Sequence, residues 1–179
     1  MRNGTKFLKE TFGEKKTIGV EIGVHDGSHA IELYENLNIK QLYLVDIWEN
    51  FNQEGQNSNY NFSYEITKNK FKDKKNVIII KGDSVEIAKT FENNSLDFVY
   101  IDANHQYEYV KKDIEAWYPK IKDNGYIAGH DYGGYWKGVK KAVDEFIINS
   151  CPNALFNSYY PIEKLLKNTQ GFGDWWVKK

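Results

Sequence analysis

The sequence has few of the features that are typical of secreted, membrane-bound or nucleic-acid-binding proteins. Its single cysteine, Cys151, has no partner for an internal disulfide, and the N-terminal stretch MRNGTKFLKETFGEKK lacks the apolar core of a secretory signal. No apolar run approaches the roughly 20 residues that span a bilayer. The 24 basic and 25 acidic side chains nearly cancel, so no strong field favours nucleic acid or a membrane surface. We therefore predict a cytoplasmic protein with no nucleic-acid or membrane partner.

The length of 179 residues suits one domain, and we predict a single domain over residues 1–179. Apolar segments rich in β-branched residues alternate with helical patterns along the chain. The apolarity of these segments is continuous, which is typical of strands buried on both faces of a parallel sheet. The predicted strands are 17–24, 41–47, 76–82, 96–102 and 125–131, and the predicted helices are 28–36, 107–120 and 135–148.

The C-terminal part departs from this alternation. Segments 154–160 and 174–179 flank a Gly-containing stretch and predict an antiparallel hairpin at the sheet edge. The whole pattern predicts an α/β fold: a Rossmann-like, doubly wound, mostly parallel seven-stranded sheet with a C-terminal antiparallel hairpin. The Asn- and Gln-rich segment 49–62 is predicted to be either a lid or a surface loop.

Residues that follow successive strands form a candidate cofactor site, because open α/β sheets bind ligands beyond the carboxyl ends of their strands. The first strand leads into EIGVHDGSHA, where glycines allow a close backbone approach and Ser28 is predicted to cap a helix. A carboxylate two residues before the first glycine would repel a pyrophosphate but suits the cationic S-adenosylmethionine. The predicted cofactor-binding residues are Glu21, Gly23, Gly27, Ser28, Asp46, Ile47, Asp83, Ser84 and Asp102. Asp46 is placed to accept hydrogen bonds from ribose hydroxyls, and Asp83 and Ser84 to contact the adenine amino group.

This arrangement, followed by DFVYIDANHQYEYVKKDIEAWYPKIKDNGYIAGHDY, resembles the class I S-adenosylmethionine-dependent methyltransferases. Within them it is most similar to a small group related to the sugar O-methyltransferases of macrolide and aminocoumarin tailoring and to the catechol O-methyltransferase type. The resemblance covers about residues 17–148, and residues 96–132 are its most specific part. Two positions depart from the group's pattern: His25 replaces a glycine common in the first motif, and Asn124 stands where a glycine pair is frequent.

Two clusters of His and Asp follow the fourth and fifth predicted strands. Adjacent parallel strands lie about 4.8 Å apart, so side chains at their carboxyl ends can converge. The resemblance implies that Asp102, His130 and Asp131 hold Mg²⁺ or Mn²⁺, which would bind and orient an acceptor hydroxyl. It also implies catalytic roles for Asp102 and for His105, which stands where catechol-type enzymes carry a catalytic lysine. Two alternatives stay open: Asp102 contacts the methionine part of the cofactor without a metal, or His130 is the base.

The predicted function is O-methyl transfer to a small acceptor such as a sugar or glycoside. The sequence leaves the oligomeric state open, a homodimer being one option. A rival enzyme class is a metal-dependent phosphoesterase, because GDS, ANH and GHD echo fragments of dinuclear phosphatase sites. The other rival is a non-catalytic nucleoside-binding module with a Rossmann-like fold. Acceptor identity depends on segments 49–62, 132–138 and 151–173, which carry no recognisable signature.

Overall fold

The computed structural model describes residues 1–49, 60–133, 135–150 and 173–179. In this part of the chain, helices alternate with strands from the first residues onward. The helices are α1 (Asn3–Phe12), α2 (Ser28–Asn36), α3 (Tyr60–Phe71), α4 (Ser84–Ala88), α5 (Tyr107–Trp117) and α6 (Lys137–Ser150), with a 3₁₀ turn at Tyr118–Lys120. The strands are β1 (Thr17–Ile22), β2 (Ile39–Asp46), β3 (Val77–Lys81), β4 (Leu96–Ile101), β5 (Ile121–Tyr132) and β6 (Gly173–Lys178).

The described strands form one six-stranded sheet in the order β3-β2-β1-β4-β5-β6. Neighbouring strands are parallel except for β6, which runs antiparallel to β5. The α/β Rossmann-like fold, the mostly parallel sheet and a C-terminal antiparallel pair are thus confirmed. β6 forms its antiparallel pair with β5, and the predicted hairpin between 154–160 and 174–179 stays a prediction. The seventh predicted strand, 154–160, lies outside the described residues.

The register of the central strands brings their carboxyl ends level. Ile22 of β1 pairs with Val45 of β2 and with Ile101 of β4, and Ile101 pairs with Gly129 of β5. The residues that follow these pairs therefore lie side by side along one edge of the sheet: Gly23, Asp46, Asp102 and His130.

Both faces of the sheet are covered, which explains the continuous apolar runs. In β4, every residue is buried, and alternate side chains point into different cores. Val99 and Ile101 join the core under α5 and α6, whereas Phe98 and Tyr100 join the core under α1 and α2. Strands of this kind have no solvent face, so alternation is absent.

Three helices were not predicted from the sequence: α1, α3 and α4. α3 carries many polar residues and α4 spans only five residues, so their apolar periodicity is weak. α1 is amphipathic and buries Leu8 and Phe12 on one face, a pattern that the sequence analysis overlooked. The predicted helix 107–120 ends earlier, at Trp117, and a 3₁₀ turn that contains Pro119 follows it. None of the described helices is both long and apolar enough to cross a membrane.

Candidate functional site

The carboxyl ends of β1, β2, β3 and β4 open into one cleft of about 1120 Å³. Its size exceeds the range of about 300–1,000 Å³ common for small-molecule sites. The cleft wall includes most of the predicted cofactor residues: Glu21, Gly23, Ser28, Asp46, Ile47, Asp83, Ser84 and Asp102, together with His105. Gly27, His130 and Asp131 lie outside the cleft wall that the described residues form. One continuous cleft therefore collects side chains from four successive strand ends.

Gly23 allows the loops after β1 and β4 to touch. It has a φ of 83°, and a Cβ built on it would lie 2.1 Å from the carbonyl oxygen of Asp102. No side chain fits there, so this glycine sets how closely the two loops approach. Gly27 has a φ of 75° and is the N-cap of α2. The prediction that Ser28 caps this helix is wrong, because Ser28 is already its first residue.

The two positions that depart from the group's glycine pattern keep a glycine-like backbone. His25 has a φ of 52° and Asn124 a φ of 65°, both in the left-handed region. Asn and His are among the non-glycine residues enriched there. The substitutions therefore preserve the turns.

Asp46 accepts hydrogen bonds from the loop after β1 and from the loop after β2. Its Oδ2 accepts a hydrogen bond from the backbone N–H of His25 at 2.8 Å, and its Oδ1 accepts one from that of Trp48 at 2.7 Å. Each carboxylate oxygen can accept a second hydrogen bond. Asp46 is thus fixed in orientation at the cleft wall, and its predicted contact with a ribose stays a prediction.

Asp83 has a local role that the sequence analysis missed. Its Oδ1 accepts a hydrogen bond from the backbone N–H of Glu86 at 3.0 Å, which caps α4. The sequence DSVE carries the signal, since an acidic N-cap with Glu three residues later is typical of a helix start. Ser84 instead donates its hydroxyl hydrogen to Asp113 on α5. Burial raises the pKa of Asp113 to about 7, although the Ser84 hydrogen bond opposes this shift.

A buried polar chain runs beneath the β1 end of the cleft. Glu21 Oε1 lies 2.7 Å from His29 Nδ1, and His29 Nε2 lies 2.9 Å from the hydroxyl of Thr5 on α1. The other oxygen of Glu21 has no hydrogen-bond partner among the described residues. Burial raises the pKa of Glu21, while His29 works against that rise. No sequence signal links His29 to Thr5.

Arg2 also reaches the cleft, and the sequence analysis did not single it out. Its Nη1 lies 2.5 Å from Asp102 Oδ2, and its backbone N–H donates to Glu32 at 2.7 Å. Burial alone would lower the pKa of Arg2, but Asp102 and Tyr100 together outweigh burial and raise that pKa. α1 is held in place by the backbone N–H of Gly4, which donates to Asp174 of β6 at 2.7 Å. The two ends of the described chain thus meet at this site.

The His and Asp clusters after β4 and within β5 do converge. His105 Nε2 lies 2.6 Å from Asp131 Oδ2, and His130 Nδ1 lies 3.2 Å from the same oxygen. Burial tends to raise the pKa of Asp131, but the two imidazoles outweigh it and lower that pKa well below its ordinary value. Asp131 has a φ of 62°, a strained backbone conformation for a residue other than glycine.

One potential ligand atom each from Asp102, His105 and Asp131 lies within 4.8 Å of the others. The predicted metal set named His130 instead of His105. His130 lies beside the same two carboxylates, since its Nδ1 is 3.9 Å from Asp102 Oδ1 and 3.2 Å from Asp131 Oδ2. Two carboxylates with one imidazole fit a divalent cation such as Mn²⁺ better than Mg²⁺, because Mg²⁺ prefers oxygen ligands.

Aromatic rings cover the outer side of the cluster. His105 stacks on Trp136 with ring centroids 4.4 Å apart and an interplanar angle of 17°. Tyr135 meets the edge of Trp136 at 4.9 Å and is largely exposed. These rings shield one face of the His105 imidazole and leave an apolar surface beside it.

Comparison with known proteins agrees with this architecture. A family model described as a methyltransferase domain matches residues 20–132. An uncharacterised protein of Acanthamoeba polyphaga mimivirus is 28% identical over 78% of the chain, and the chain spans 63% of that protein's length.

Solved structures of methyltransferases share the fold. A Streptococcus mutans protein assigned as a methyltransferase, in complex with SAH, superposes with a TM-score of 0.69 at 14% identity, over 100% of this chain and 99% of that chain. An rRNA methylase of Streptococcus thermophilus superposes with a TM-score of 0.66 at 18% identity, over 98% and 93% of the two chains. At these identities the likeness establishes the fold alone.

Proposed function

The chain belongs to the methyltransferase-domain family, and we propose that it transfers the methyl group of S-adenosylmethionine to a hydroxyl of a small acceptor such as a sugar or glycoside. The observation that carries this proposal is the single cleft lined by Glu21, Asp46 and Asp102. Three carboxylates at successive strand ends suit a ligand with a sulfonium, an ammonium and ribose hydroxyls, and they disfavour a phosphate ligand.

Each wall of the cleft has a distinct part in cofactor binding. Glu21 and Asp102 lie at the β1 and β4 ends, where their negative charge would attract the ammonium and sulfonium groups. Asp46 lies at the neighbouring strand end, where it would accept hydrogen bonds from the ribose. When bound, the cofactor supplies an electrophilic methyl carbon whose bond to sulfur breaks as the bond to the acceptor oxygen forms.

His105 is the proposed base. Its position beside Asp131, with Nε2 and Oδ2 2.6 Å apart, would stabilise the imidazolium that forms when the acceptor hydroxyl gives up its proton. Stacking on Trp136 fixes the plane of the imidazole. The carboxylate and the indole therefore both position the base, which matters because alignment supplies much of the acceleration in such transfers.

A divalent cation is a further element of the proposal. Asp102, His105 and Asp131 would hold it, and it would lower the pKa of the acceptor hydroxyl. His105 cannot bind a metal and accept a proton through the same nitrogen, so a metal-bound His105 would leave the base role to His130. Burial tends to lower the pKa of His130, but Asp131 and Asp102 outweigh it and raise that pKa.

The phosphoesterase alternative has weaker support. Asp83 caps α4, and Asn104 accepts a hydrogen bond from the backbone N–H of Gln106 at 2.8 Å. Two of the three fragments that suggested a dinuclear site thus make local turns.

Calorimetric titration with S-adenosylhomocysteine, with and without Mn²⁺ and with chelator, tests the proposal. We expect micromolar binding that survives chelation, and binding of Mn²⁺ that Asp131→Asn removes. Asp123→Asn is the matched control, because Asp123 is exposed on β5 away from the cleft. A wild-type protein that binds no S-adenosylhomocysteine under any of these conditions refutes the proposed function. A screen of hydroxylated acceptors, detected by S-adenosylhomocysteine release, then separates an enzyme from a non-catalytic binding module.

A further inference from the structure

Asp113 is a buried acid with no part in the function proposed so far. It lies on α5 with 4% of its surface exposed, yet it contributes to the wall of the cleft. Among the described residues, the Ser84 hydroxyl is the hydrogen-bond donor that reaches its carboxylate. A carboxylate has about four acceptor positions. Its capacity to accept hydrogen bonds is therefore largely unused, and a ligand in the cleft can supply the missing donor.

Asp113 lies at the end of the cleft where a nucleobase would fall. The sheet order β3-β2-β1-β4 puts Asp46 between the Glu21 end and the β3 end. A ribose held by Asp46 with the sulfonium toward Glu21 directs its base toward the start of α4. Ser84 is the first residue of α4, and it joins Asp113 to this end of the cleft.

Asp83, the acid that the sequence suggested for this role, is exposed, and one of its oxygens caps α4 through Glu86. A hydrogen bond from a ligand to Asp83 would compete with water, whereas Asp113 is buried. Tyr109 precedes Asp113 by one helical turn, lines the same cleft and is 53% exposed. Side chains four apart share a helix face. The exposed ring of Tyr109 can stack on a nucleobase, while the buried carboxylate of Asp113 accepts a hydrogen bond from the edge of that base.

We propose that Asp113, supported by Ser84, accepts a hydrogen bond from the 6-amino group of the adenine of the bound cofactor. This inference rests on the proposed function. A carboxylate only accepts hydrogen bonds when ionised, so it favours a purine with an amino group. A purine with a carbonyl at position 6 presents a second acceptor and leaves both groups unsatisfied. Asp113 therefore sets the preference for adenine over hypoxanthine.

The test compares S-adenosylhomocysteine with S-inosylhomocysteine by calorimetry at pH 8, where Asp113 is ionised. We expect the wild-type protein to bind the inosine analogue about tenfold or more weakly, because a hydrogen bond to a charged group is lost. Asp113→Leu should weaken S-adenosylhomocysteine binding by a similar factor. Asp113→Asn should reduce the difference in affinity between S-adenosylhomocysteine and S-inosylhomocysteine, since an amide can donate a hydrogen bond to the inosine carbonyl.

Glu115→Gln is the matched control, an exposed acid two residues away on α5, and it should keep both affinities within about twofold. Circular dichroism establishes that each variant is folded, and the nearly isosteric Asn variant decides the matter if the Leu variant is not. Unchanged affinity and preference in Asp113→Asn would overturn the inference and leave the proposed function standing. Absence of S-adenosylhomocysteine binding to the wild-type protein would overturn both.

Discussion

Replacing Asp113 by Asn should make the protein more stable at neutral and alkaline pH. Burial raises the pKa of this carboxyl from an ordinary 3.8 to about 7. A group whose pKa is higher in the folded protein contributes most stability below its unfolded pKa, and that contribution is lost as the pH rises through the folded pKa. Asp113 thus opposes folding at pH 8, where Asn carries no charge to bury.

The magnitude follows from the two pKa values. Each pKa unit corresponds to about 1.4 kcal/mol, so ionising Asp113 costs the folded protein on the order of 4 kcal/mol above pH 7. Roughly 3 kcal/mol of this falls between pH 5 and pH 8. Asp83 is the charged group that faces Asp113 from α4, and its charge adds to the rise in pKa. It is common to both proteins, so the comparison isolates Asp113.

Urea unfolding, followed by tryptophan fluorescence at pH 5, 6, 7 and 8 without ligand, measures the effect. The free energy of unfolding of Asp113→Asn minus that of the wild-type protein should increase steadily over this range. Glu115→Gln should show no such trend, because its side chain is exposed. Parallel stability curves for wild type and Asp113→Asn would mean that Asp113 is ionised in the folded protein at an ordinary pKa, and the reasoning from burial would be refuted.

Three further predictions concern the β1 and β4 ends of the cleft. Gly23→Ala should lower the free energy of unfolding by about 2 kcal/mol or more in urea and abolish S-adenosylhomocysteine binding, since its Cβ would meet the Asp102 carbonyl; near wild-type values for both would contradict the role of this glycine. His29→Leu should cost about 3–5 kcal/mol in the same assay because it strands the buried Glu21 carboxylate, and adding Glu21→Gln should recover part of the loss, whereas no recovery would show that the pair acts through packing alone. His105→Gln should slow methyl transfer about 10²–10⁴-fold while S-adenosylhomocysteine affinity stays within about twofold; a rate equal to wild type would exclude His105 as the base.

The sequence predicted those features that depend on a single strand, namely the strand's position and the residues that follow it. Buried parallel strands leave a continuous apolar run, so the five parallel strands and the positions just beyond them could be predicted from the sequence. The strand register then fixes where those positions meet, as the level ends of Ile22, Val45 and Ile101 show. The helix after β1 was predicted to follow a cap at Ser28 and to end at about Asn36, whereas it begins at Ser28 and its N-cap is Gly27.

The roles of the acidic residues Asp83 and Asp113 depend on spatial neighbours that the local sequence does not reveal. Asp83 and Asp113 are 30 residues apart in sequence, and only the packing of α4 on α5 makes one a helix cap and the other a buried partner of Ser84. Both an N-cap and a ligand contact are compatible with an acid after a strand. Sequence position alone therefore gives the candidates for this end of the cleft and cannot choose between them.

The same reasoning bears on Asp102, for which the sequence left a choice between cofactor and metal. Its two carboxylate oxygens face different partners: Oδ2 meets Arg2 at 2.5 Å, while Oδ1 lies 3.9 Å from His130. Arg2 comes from the start of α1 and is positioned by long-range contacts such as the one between Gly4 and Asp174. A carboxylate anchored through one oxygen keeps the other available to a ligand. Arg2 holds Oδ2, so Oδ1 is the oxygen through which we propose that Asp102 contacts the cofactor or a metal ion.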